Sequence, residues 1–147
     1  MTRYAFCHFC DDVRVEIGFK TSIMGLYGGD LLVPANPTVL PKLCIVAFAI
    51  TDTDHPFHSL TVQISEGDRV LIDNPIPSKT LAGIQRDIQA RTDAEDTTSR
   101  ISIGTNLFIS PFVVDRNMTI KTMVIADGEE MVAGRLHVKF ASATRTR

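Results

Sequence analysis

Hydrophobic and polar residues alternate with period two along most of this chain, and the alternation is broken by Gly, Asp and Asn. That pattern predicts short strands separated by turns. Val13, Val15 and Ile17 point one way while Arg14 and Glu16 point the other. Gly18-Phe19 then turns into a strand over 20–27, and Gly28-Gly29-Asp30 turns again into 31–33, so residues 4–33 read as a meander. Further on, Leu60, Val62 and Ile64 alternate with Thr61, Gln63 and Ser65, and Glu66-Gly67-Asp68 closes a hairpin into 69–73. Near the end, 119–125 and 132–140 flank Asp127-Gly128, a dipeptide that accepts the positive φ angles of a type I′ turn. In that last strand Leu136, Val138 and Phe140 are expected in the core, with Arg135, His137 and Lys139 outside.

Three stretches depart from simple alternation. Pro34, Pro37 and Pro41 space out a segment unable to donate a full ladder of hydrogen bonds, which predicts an extended crossover between sheets. The strand after it, "LCIVAFAI" at 43–50, is apolar on both faces and needs cover on both, from this chain or from another subunit. Between Ser78 and Asp93, Leu81, Ile84 and Ile88 fall at i, i+3 and i+7, which predicts a short amphipathic helix near 79–91 with Ser78 as its cap. A polar loop follows at 92–99. Strand composition then resumes at 101–103 and 107–114, where Pro111 marks an edge or a bulge.

Eight to ten short strands and one helix give an all-β fold, an antiparallel β-sandwich with Greek-key or C2-like wiring. A small barrel would share the same periodicity. At 147 residues the chain is one domain long, 1–147, and its Ser/Thr-containing tail at 143–147 is expected to fray. There is no internal repeat.

Composition narrows the function classes. Hydrophobic residues at 44% and charged residues at 22% fit a globular core, and a formal charge of −2 gives no electrostatic reason to expect nucleic acid or anionic membrane as a partner. No secretory leader pattern is visible, and no apolar run approaches the ~18 residues of a membrane span. The three cysteines do not form a secreted disulfide framework, so a cytoplasmic protein with reduced thiols is expected.

The stretch "CHFC" at 7–10 is the first candidate for chemistry. On a strand, Cys7 shares one face with Ala5 and Phe9, whereas Cys10 shares the other with Tyr4, Phe6 and His8, so the sulfurs point apart. The expected reading is buried thiols, with no metal and no cofactor. The alternative is a metal-dependent module or enzyme in which Cys7, Cys10, His55 and His58 converge on zinc, or in which acids at 11–12, 52–54 and 93–96 converge on calcium. Neither alternative has the ligand spacing of a contiguous metal motif. No nucleophile elbow, phosphate loop, dinucleotide fingerprint or His-Glu-x-x-His is present, so no catalytic residue is named. Asp12, Arg14 and Glu16 alternate on one strand face, either as a solvated ladder of opposite charges or as a rim around a partner surface. With Asp11 and Tyr27 beside them, they form the candidate partner-contact set.

The run "CDDVRVEIGFKTSIMGLYGGDLLVP", residues 10–34, resembles the opening of a family of small bacterial and phage proteins with no assigned function. The match rests on Cys10-Asp11-Asp12-Val13-Arg14 with Glu16, on Ile23 to Gly28, and on the Pro-spaced crossover into the strand at Leu43. It covers about the first 50 residues, and the helical segment from Ser78 departs from the simplest form of the pattern. The resemblance implies a compact β-sandwich and transfers no activity, cofactor or catalytic residue. Together these readings predict a non-enzymatic homo-oligomer that acts through contacts with an unidentified protein partner.

Overall fold

A computed structural model describes residues 3–91 and 100–141. Its elements, in chain order, are β1 (Tyr4–Val15), β2 (Thr21–Leu26), β3 (Asp30–Val33), β4 (Thr38–Leu40), β5 (Leu43–Asp52), β6 (Leu60–Glu66), β7 (Arg69–Pro75), α1 (Ser78–Ala90), β8 (Arg100–Ile109), β9 (Phe112–Val114), β10 (Met118–Ala126) and β11 (Glu129–Phe140). Two sheets face each other, one ordered β2-β1-β5-β8 and the other β3-β11-β10-β6-β7. This is the expected sandwich, and neither sheet closes on itself. All ladders are antiparallel except β3 with β11, which is parallel because β3 enters its sheet from a meander begun in the other one.

The core follows from the alternation. Inward residues Phe9, Leu43, Ile45, Ile64, Ile120, Leu136 and Val138 form one buried cluster, and Ala47, Ala49, Leu60, Val62, Ile101, Ile103 and Val124 form a second. The Pro-spaced crossover carries β4, which pairs with β9 in the return crossover; Leu40, Phe112 and Val114 thereby pack against the first cluster. Pro111 does not sit on an edge strand; it divides the expected strand 107–114 into β8 and β9, since a residue without an N–H ends the β8 ladder at the point where the chain leaves the sheet.

The helix forms where expected, with two differences. Pro77, not Ser78, is its N-cap residue, and no side chain caps the first turn. Pro77 supplies the extended entry, and Ser78 falls inside the first turn. The buried stripe runs through Leu81 and Gln85, while Ile84 is exposed. Gln85 turns inward because its amide donates to the Phe57 carbonyl at 2.7 Å and accepts from the Phe57 N–H at 2.7 Å, pairing both backbone groups of a buried loop residue. Since α1 connects β7, at the edge of one sheet, to β8, at the edge of the other, it closes the side of the sandwich; its Leu81 joins the second inner cluster. Among the described residues no element covers the outer surface of the β5 sheet.

The segment before β1 is tied to the loop after β5 and to the β10–β11 turn. The Arg3 guanidinium donates to Asp127 Oδ2 at 2.7 Å, to Thr51 Oγ1 at 3.1 Å and to the Pro56 carbonyl at 2.9 Å, and it lies 4.7 Å over the Phe57 ring. Asp127 and Gly128 adopt φ values of 50° and 82°, the expected type I′ signature, and Asp127 Oδ1 also accepts from the Ser59 and His58 N–H groups. Among the described residues no helix is long and apolar enough to cross a membrane. The expected frayed tail lies outside the described residues.

Candidate functional site

The two outer surfaces of the sandwich differ in chemistry. On the β10 sheet, Thr61, Gln63, Lys121, Arg135, His137 and Lys139 face outward, with Gln63 donating to Asp73 at 2.9 Å. Leu32, Met123, Ile125 and Val132 share that face by register, so it mixes polar and apolar side chains and carries none of the aromatic rings. On the β5 sheet the outward positions of β1 and β5 are Tyr4, Phe6, His8 and Cys10 beside Ile50, Phe48, Val46 and Cys44, in direct cross-strand register. β8 adds Phe108 opposite Cys44, and β2 adds Leu26 opposite Cys10.

This outer surface has a packed floor and an exposed top. Cys10, Cys44 and Val46 are buried, with Val13 and Phe48 against them. Above them Phe6 stacks on Phe48 with ring centroids 4.9 Å apart, and His8 meets both rings edge-on. Phe48 can lie flat because its cross-strand neighbour is Gly104, where a Cβ would stand 3.2 Å from the ring. Phe108 keeps 64% of its surface exposed, and Tyr4, Phe6 and Leu26 are exposed as well. Arg100 donates to the Tyr4 hydroxyl at 3.2 Å at one end of the patch. Contiguous exposed apolar surface is uncommon on monomeric proteins.

Next to it the chain builds an arm. β1 pairs with β5 only from Tyr4 to Cys10, then continues through Val15 in a ladder with β2. The ribbon turns at Gly18-Phe19, both with positive φ, and its tip exposes Ile17 at 97% and Phe19 at 99%.

The root of this arm is where the structure brings together three of the five expected contact residues. Tyr27 donates its phenol to Asp11, whose carboxylate lies over Gly25; a Cβ at that position would overlap Asp11. Lys42 pairs with Asp12 at 2.5 Å, and the Cys44 thiol donates to the Asp11 carbonyl at 3.6 Å. The Lys42 ammonium holds the Asp12 carboxyl below its usual range, and burial, then the Asp11 hydrogen bond, raises the Tyr27 phenol. Asp11, Asp12 and Tyr27 thus brace the hairpin. Arg14 and Glu16 lie farther out and pair with each other at 3.7 Å.

The residues of the metal alternative are not brought together. Cys7 points into the core and Cys10 onto the outer surface, as the strand argument requires. His55 and His58 lie in the loop after β5, at the Tyr4 end of β1, far along the strand from Cys10. The acids at 52–54 and 11–12 are likewise at opposite ends of the sheet, and those at 93–96 lie outside the described residues. Among the described residues no group of three or more His, Cys, Asp or Glu is arranged to hold a metal ion. Burial first, then the neighbouring Cys44 and Asp11, pushes the Cys10 thiol up to about 11, which keeps it protonated and a poor nucleophile at neutral pH.

Sequence reasoning flagged the doubly apolar strand at 43–50, which carries Phe48, and named the charged neighbours of this surface, but it did not name Phe6, Phe108, Ile17 and Phe19 among the contact residues. A signal for them exists: β1 and β5 are adjacent strands with apolar residues on both faces, and Ile17-Gly18-Phe19 puts large apolar groups at a turn. Comparison of the chain with protein-family models, curated proteins and solved structures finds no match.

Proposed function

We propose that the protein is a non-enzymatic β-sandwich contact module of bacterial or phage origin, which associates with itself and with a protein partner through the outer surface of the β5 sheet. The observation that carries the reading is the aromatic outer surface of the β5 sheet, floored by Cys10, Cys44 and Val46 and topped by Phe6, Phe48 and Phe108, with Phe6 stacked on Phe48. Leaving such rings in water forgoes roughly 1.5–3 kcal/mol per side chain that burial would supply. The resemblance of residues 10–34 supports the bacterial or phage setting. A cytoplasmic location suits the three free thiols. The net charge of −2 favours a protein partner over nucleic acid or anionic membrane.

Hydroxyl-radical footprinting of the full chain over a dilution series tests this. Oxidation of Phe6, His8 and Phe108 is expected to fall as concentration rises, while His137 on the opposite surface stays equally reactive. Equal reactivity of all four at every concentration would remove the self-association claim.

A further inference from the structure

The arm and the apolar surface belong to one strand, and this points to what covers them. We propose that the β1–β2 hairpin of one copy lies across the outer surface of the β5 sheet of a second copy, and that the second copy returns the contact. The inference rests on the contact-module reading and names the occupant of that surface.

Three observations carry it. The first is the tip. A two-stranded ribbon by itself is marginally stable in water, yet here its end presents Val15, Ile17 and Phe19 at 73%, 97% and 99% exposure. Phe19 also has φ 63°, a region that bulky residues seldom occupy and that Asn or Gly fills readily. One residue breaks two local preferences, of backbone and of solvation, and such breaks cluster at functional sites.

The second is reach. From Asp11 to Val15 the strand covers roughly 13 Å and the turn beyond it takes Ile17 to roughly 20 Å, the same length that the apolar surface occupies along β1 from Tyr4 to Cys10. The arm is long enough to span the surface. Only its root, at Val13, touches its own surface, and the residues beyond continue away from that surface as part of β1.

The third is symmetry. One chain supplies both an exposed apolar arm and an exposed apolar receiver, so a two-fold pairing with antiparallel β1 strands satisfies both at once and closes on itself. Aromatic side chains bury on the order of 150–250 Å² each. Phe19 and Ile17 of an arm with Phe6, Phe48 and Phe108 of a receiver therefore bring each subunit to the order of 800 Å², the size of a stable interface.

Light scattering and native mass spectrometry of the full chain test the proposal with two variants. The arm variant carries Ile17→Asp and Phe19→Asp; the receiver variant carries Phe108→Asp. All three positions are exposed, and far-UV circular dichroism checks that both variants fold. The wild type is expected to be a dimer and each variant a monomer. An equimolar mixture of the two is expected to regain a heterodimer, at least roughly tenfold weaker than wild type, because one of its two arm-receiver contacts remains intact. Phe19→Asn, which suits the backbone, is expected to weaken the dimer without lowering the melting temperature of the monomer.

Two results would overturn the proposal, and they differ in what else they remove. An arm variant that stays dimeric while the receiver variant does not eliminates the arm as occupant and leaves the contact surface standing. A wild type that stays monomeric at all concentrations eliminates self-association, and the reading built on it, as well.

Discussion

The Cys7 sulfur fills the space above Gly134, 2.7 Å from where a Cβ on that glycine would lie. Cys7 comes from β1 and Gly134 from the facing sheet, where it stands opposite Thr122 beside a β-bulge. The two sheets approach closely here because one residue has a thiol and the other no side chain. Gly134→Ala is expected to cost about 1–3 kcal/mol through overpacking. Cys7→Ala in the same chain should recover most of that loss, since the added methyl then occupies the vacated volume. Urea unfolding of the two single variants and the double variant measures the coupling.

Thr122 is the polar counterpart of that contact. Its Oγ1 is buried without a hydrogen bond of good geometry. Its interaction with the Cys7 thiol only partly offsets the burial that raises that thiol above its ordinary value. Thr122→Val keeps the shape and removes the unpaired hydroxyl. An increase of about 1 kcal/mol in unfolding free energy is expected, read from the same urea curves.

Gln85 illustrates the opposite situation. Its amide pairs both backbone groups of Phe57, so Gln85→Leu, though more apolar, leaves a buried N–H and a buried C=O unsatisfied. The expected loss is about 2–4 kcal/mol. Hydrogen exchange should also show the Phe57 amide losing protection before the β-sheet amides do.

Asp127 sets a dependence on acid pH. Burial raises its carboxyl, but the N–H groups of Ser59 and His58 and the Arg3 guanidinium outweigh it and hold the group below its ordinary value. A carboxylate that titrates lower when folded stabilises the fold fully above the unfolded-state value of about 4, and the contribution is lost as pH falls through the folded value. Asp127→Asn tolerates the positive φ and keeps an oxygen for the two N–H groups, so it removes chiefly the charge that faces Arg3. Melting temperatures from pH 7 to pH 2 should fall less steeply for the variant, with the two proteins converging at the acid end.

The Cys10 thiol gives the alkaline counterpart. With its pKa raised to about 11, the folded protein keeps a proton that the unfolded chain releases near 9, so stability is complete below pH 9 and is lost as pH rises towards 11. Cys10→Ala should flatten that decline. Iodoacetamide labelling at pH 8 is expected to reach Cys10 no faster than the protein unfolds.

Local patterns made most of the fold legible. Alternation located the strands, Asp127-Gly128 marked its turn, and the Cys7/Cys10 parity argument separated the two sulfurs. Polarity alone misled at the helix, where Gln85 is buried because a backbone 28 residues away needs its amide, a demand that the helical repeat does not encode. The arm was hidden for a related reason. Whether β1 outruns β5 depends on where the ladder between them stops, at Cys10 and Cys44, and neither strand's own composition records its partner's length. Hence the acids beside that end were visible as a charged run, and their role in bracing the hairpin was not.

One uninterrupted strand carries both the arm and the centre of a sheet, and this has a mechanical consequence. A pull on the hairpin tip runs along β1, at right angles to the hydrogen bonds that join it to β5 from Tyr4 to Cys10. Those bonds are loaded together, in shear, instead of being peeled one at a time. The arm can therefore bear tension without unzipping the sheet to which it is attached.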